Sequence, residues 1–140
     1  EGDSIAIPND GTNCARALRL LEAQGVITVA SGELVTAFDI TENPKKLKFI
    51  ELDAAQLPRT LKDVTAAVIN TNFASEAGLI PSKDALIIES GDSPYAHVIA
   101  VRAESAETPA VKALARAATS PEVKAFIEEH LVPRGIVPAF

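Results

Sequence analysis

The 140 residues include no methionine and one cysteine, and no apolar run approaches the ~20 residues that cross a bilayer as a helix. Each absence excludes something. Cys14 alone makes no intramolecular disulfide and belongs to no Cys-x-x-Cys pair, so it carries no information about redox compartment. No membrane-spanning helix is expected. The chain starts at Glu1 without a charged-then-apolar leader, and the expectation is that an upstream segment has been removed. Its basic residues form no stripe able to neutralise successive phosphates and the net charge is −6, so nucleic acid is not expected as a partner. Nucleophile-elbow, P-loop, dinucleotide and metalloprotease motifs are all missing. His97 and His130 lack metal-ligand spacing. Neither catalysis, a cofactor nor a metal is expected.

What is present folds. Hydrophobic residues make up 47% and charged residues 23%, a globular balance that argues against disorder. A chain this long buries roughly two thirds of its unfolded surface, enough for one or two α/β units. Ser4 to Pro8 reads as a strand, and Cys14, Ala17, Leu18 and Leu21 recur at helical spacing before Gly25, which is placed to end the helix. Leu34 to Ile40 and Leu47 to Leu52 read as strands, and Ala54 to Asp63 as a short helix. Ala66 to Ile69, Ala85 to Ile88 and Val98 to Val101 are short apolar runs of the kind buried on both faces of a sheet. Thr108-Pro109 and Ser120-Pro121 are start signals for two closing helices.

Three places could carry chemistry. Pro8 to Arg16 gathers polar side chains and free backbone N–H groups at a helix start, the outline of an anion site. Arg16 near that start opposes the helix dipole, which a bidentate carboxylate would explain and a surface ion pair would also explain. Asn70 follows a buried strand, where ligands of open α/β sheets bind, and its amide both donates and accepts; it could equally satisfy its own turn. His97 could be a ligand contact, a metal ligand or a core imidazole.

Five stretches, taken in order, closely resemble one family: Ile5 to Asp10 with Thr12, Asn13 and Arg16; Asp39 to Lys45; Glu51 to Arg59; Ala67 to Thr71; and Asp92 to Tyr95. The sequence resembles the NlpA/MetQ-type methionine-binding lipoproteins from Ser4 to about Glu129. The resemblance implies a type II periplasmic-binding-protein fold, an α/β arrangement in which a mixed sheet is flanked by helices and ligand sits between two lobes. Residues 1–93 would form the second lobe, and residues 94–140 the crossover and return to the first lobe, whose N-terminal part would be absent. It also implies an extracytoplasmic location, a lipid anchor on an N-terminal cysteine outside these residues, and delivery of methionine or a related small amino acid to an ABC permease. By position, Arg16 would clamp the ligand carboxylate with help from Asn13, and Asn70 would meet the amino acid's polar end. His97 stands where the family's methionine binders usually carry Asn, which leaves the amino acid's identity open. Without the rest of the first lobe, self-association is expected. The effector domain of a LysR-type regulator is the other reading on the same two-lobed fold, and it requires an upstream helix-turn-helix.

Overall fold

Ile5, Ala6, Ile7 and Pro8 are buried in succession instead of alternately, as in a strand covered on both faces. They belong to β1 (Ser4–Pro8), the middle strand of a three-stranded parallel sheet whose other members are β4 (Lys48–Leu52) and β5 (Ala66–Ala67). Ser4 to Pro8 pair in step with Lys48 to Leu52, and on the opposite edge Ile5 and Ala6 pair with Ala66 and Ala67. This computed structural model describes residues 2–90, 94–136, 138 and 140. Asp92 and Ser93 of the family-like stretch, and the expected lobe boundary at 93, lie outside the described residues.

Two compact units make up the chain, Glu1–Leu79 and Ile80–Phe140. In the first, α1 (Gly11–Ala23) buries Cys14, Ala17, Leu18 and Leu21, the face predicted by their spacing, and Ala15 beside them. Gly25 ends it as predicted: at φ +66° it adopts the left-handed conformation, its N–H donates to the Glu22 carbonyl at 2.8 Å, and Val26 N–H donates to Leu21 at 3.0 Å. β2 (Thr28–Val29) pairs antiparallel with β3 (Ile40–Glu42) in a separate small sheet. The loop between them is tied to α1 by Arg19, which donates to the carbonyls of Ala30 and Gly32 and to the Glu22 carboxylate. Glu22 also accepts from Val29 N–H at 2.9 Å; that bond first, and then Arg19, hold it below the usual carboxylate range.

The predicted strand from Leu34 to Ile40 does not form. The Asp39 carboxylate accepts from Thr36 N–H at 2.7 Å and from its hydroxyl at 2.8 Å, bending Ala37–Asp39 into a 3₁₀ turn that leaves Phe38 97% exposed, and β3 starts only at Ile40. The predicted helix from 54 to 63 shrinks to α2 (Leu57–Thr60), flanked by turns and anchored by fully buried Leu57. α3 (Thr71–Glu76) closes the first unit.

In the second unit, α4 (Pro81–Asp84) precedes α5 (Pro109–Ala118) and α6 (Pro121–Phe126), whose caps are the predicted Thr108 and Ser120. A π-helical turn over Ile127–Leu131 continues from α6. Ala85 to Ile88 and Val98 to Val101 are not buried strands: Leu86 is 94% and Val98 83% exposed, in irregular chain. An apolar run becomes a strand only when neighbours complete its ladder and cover it, and among the described residues no strand pairs with either. On α5, Val111 and Ala118 are half-buried while Leu114 and Ala115 are exposed. All fully buried apolar side chains among the described residues belong to the first unit.

Candidate functional site

Because β1 and β5 are parallel neighbours, the segments leaving their carboxyl ends emerge side by side. One is the turn into α1, and the other is Asn70, the N-cap of α3. Val68 N–H donates to the Ala6 carbonyl at 2.9 Å, which carries the ladder one step past β5 and sets the height at which Asn70 arrives. This is the place in an open α/β sheet where ligands are received.

Three side chains meet there. Asp10 caps α1: its carboxylate accepts from Asn13 N–H at 3.0 Å, and both its oxygens accept from Asn13 Nδ2 at 3.0 Å. Asn13 Oδ1 then accepts from Asn70 Nδ2 at 2.8 Å, joining residues 57 positions apart. This relay has a direction. An ionised carboxylate only accepts, so Asn13 turns its Nδ2 to Asp10 and its Oδ1 to Asn70, and Asn70 must spend its Nδ2 inward. What remains is Asn70 Oδ1, a buried acceptor without a hydrogen-bond partner among the described residues. An orphaned acceptor of this kind costs about 1–3 kcal/mol until a donor reaches it.

Arg16 follows Asn13 by three residues, so the two share a side of α1. It is half-buried. Cys14, between them, turns inward to the core; burial first, and then the negative charges of Glu51 and Asp10, push its thiol up, so it is a packing residue and not a nucleophile. His97 belongs to the second unit and is exposed in irregular chain. His130 is half-exposed, with its ring 4.6 Å from that of Phe126. Among the described residues no group of three or more His, Cys, Asp or Glu could hold a metal. A shallow groove of about 590 Å³ lined by Phe38, Ile40, Asn43, Leu47, Phe49 and Glu51 contains none of the four predicted site residues. Its Asn43 is already committed to the Leu47 N–H and carbonyl, both at 2.9 Å.

Of the predicted residues, the structure therefore joins Asn13 and Asn70 directly and sets Arg16 beside Asn13 on the helix. Asp10 was not singled out from the sequence, although an Asp three residues before Asn13 at a helix start is the ordinary N-cap spacing.

Parallel strands that deliver polar side chains to their carboxyl ends are the arrangement in which open α/β sheets receive small ligands. The family model described as NlpA lipoprotein matches residues 1–140, and the chain belongs to that family. It is 46% identical over 127 residues to the D-methionine-binding lipoprotein MetQ of Salmonella typhi, covering 88% of this chain and 47% of the relative. Among solved structures it is similar to a nutrient binding protein from Burkholderia cenocepacia bound to methionine, with 53% identity, a TM-score of 0.83, and coverage of 99% of this chain and 59% of the other. It is also similar to an ABC transporter periplasmic substrate-binding protein from Coxiella burnetii, with 47% identity, a TM-score of 0.82, and coverage of 98% and 58%. The chain thus spans about half the length of the curated relatives it matches. Membership in a lipoprotein family sets aside the transcription-regulator reading.

Proposed function

We propose that this chain supplies part of the ligand grip of an extracytoplasmic, lipid-anchored substrate-binding protein that hands methionine or a related small amino acid to an ABC permease. The observation that carries this reading is the orphaned Asn70 Oδ1 at the carboxyl end of β5, an acceptor suited to an amino acid's ammonium. Arg16 then clamps the carboxylate with help from Asn13, which also braces Asn70 through the bond between them. Residues 1–93 act as the second lobe and 94–140 as the return to the first. A methionine-bound relative at 53% identity supports the ligand class. Calorimetry with L-methionine on the protein at its full natural length tests the reading. Asn70→Ala should weaken binding by about 1.5–3 kcal/mol, as expected for a hydrogen bond to a charged group. An unchanged affinity would remove Asn70 from the site.

His97 contributes a further contact in this proposal, at the position where the family usually carries Asn. Neutral imidazole splits donor and acceptor between two ring nitrogens, whereas an amide offers both at one end. His97→Asn should therefore change methionine affinity at least about threefold, while replacement of an exposed residue that touches no ligand leaves binding and stability within about 0.5 kcal/mol. Calorimetry on the same protein separates these outcomes.

We further propose that the 140 residues by themselves self-associate through Leu86, Ile88, Val98, Ile99 and Val101, which are exposed and apolar. Sedimentation velocity should reveal species that grow with concentration. A single monomeric boundary at every concentration would end this proposal.

A further inference from the structure

We infer that Asp10 is a positioning residue that decides which ligands the site takes: by setting the direction in which the Asn13 and Asn70 amides point, it makes the relay accept a protonated amine and refuse a group that only accepts hydrogen bonds. This deepens the reading of Asn70 as a ligand contact and rests on it. The two ends of an amide differ little in size, so a half-turn of either asparagine is sterically cheap, and the relay could run either way if it consisted of amides alone. The group that cannot reverse is the carboxylate. Both Asp10 oxygens face Asn13 Nδ2 at 3.0 Å, and the polarity they impose passes through the 2.8 Å bond to Asn70 and ends at the buried Oδ1.

Asp10→Asn changes this direction with little other disturbance. Asn caps helices about as well as Asp, so its Oδ1 can still receive the Asn13 N–H. Its Nδ2, however, is a donor, and the relay can now run backwards: Asn13 turns its Oδ1 to residue 10 and its Nδ2 to Asn70, and Asn70 presents its own Nδ2 outward to the ligand. A protonated amine then meets a donor.

The test compares L-methionine with 4-(methylthio)butanoate, which lacks the amine, by calorimetry on the parent and on Asp10→Asn at full natural length. The parent should prefer methionine strongly, as a site built to hydrogen-bond one group rejects an analogue without it, and the variant should lose about tenfold or more of that preference. Parallel weakening of both compounds, or an unchanged ratio, overturns the proposal and leaves Asp10 a helix cap. A parent that binds no methionine overturns the ligand reading on its own, and the relay is then decided without ligand. Side-chain amide exchange followed by NMR should show Asn13 and Asn70 Nδ2 protons protected in the parent. In Asp10→Asn, protection should fall at Asn70 and persist at Asn13. Unchanged protection at Asn70 overturns the assignment of Asp10 whatever the ligand.

Discussion

Arg16→Ala should cost about 2–5 kcal/mol of amino-acid binding, the loss expected when one partner of a desolvated charge pair is truncated. Arg16 is half-buried and follows Asn13 by about one turn on the same side of α1, so a carboxylate bound there would be screened far less than on open surface. Much of the loss is the penalty of leaving the ligand's charge without its partner. Arg16→Lys should recover only part of the affinity, because an ammonium keeps the charge and lacks the guanidinium's two-pronged geometry. Calorimetry on the full-length protein reads both variants. A methionine affinity for Arg16→Ala within a factor of two of the parent would remove Arg16 from the site.

Leu18→Ala should destabilise the first unit by about 2–5 kcal/mol, the range for emptying a buried leucine site. Leu18 is 0% exposed and lies in the cluster that includes Ile5, Ile7, Leu21 and Val29, where α1 meets the sheet. Against a typical total stability of about 5–15 kcal/mol this is a large fraction. The urea midpoint should fall with little change in slope. A loss below about 1 kcal/mol would mean that the cluster collapses around the gap. The consequence reaches the site, since the helix that Leu18 seats also carries Asp10's cap bond, Asn13 and Arg16.

β1 and α1 were legible because their apolar residues follow the periods of their elements over enough residues to be unambiguous. Asn70 was legible as a strand-terminal polar residue, and Asn13 and Arg16 as helix-start residues. Their connection was not, because the bond between residues 13 and 70 depends on β5 pairing with β1 across 57 positions of sequence. The direction of the relay was hidden for the same reason. β2 is two residues long, too short to show a period. Leu34 to Ile40 looked like a strand because the pattern of apolar residues does not record the Asp39 carboxylate reaching back to Thr36. Ala85 to Ile88 and Val98 to Val101 show a further limit: composition says that such surface is to be covered, and says nothing of what covers it.

The brevity of β5 has a dynamic consequence. Two residues pair with β1, both half-buried, and the Thr65 and Val68 amides extend the ladder by one bond at each end. Asn70 is therefore anchored by the least extensive pairing in its sheet, while β1 keeps five paired positions with β4. Segments held by few bonds and little buried surface open locally without global unfolding. The Val68 amide should thus exchange with solvent through a small opening that withdraws Asn70 from Asn13 and leaves the packed helix in place. A ligand that holds Asn70 in its docked position favours the closed form, so slowed exchange at this amide is a reporter of occupancy that does not rely on any change in overall shape.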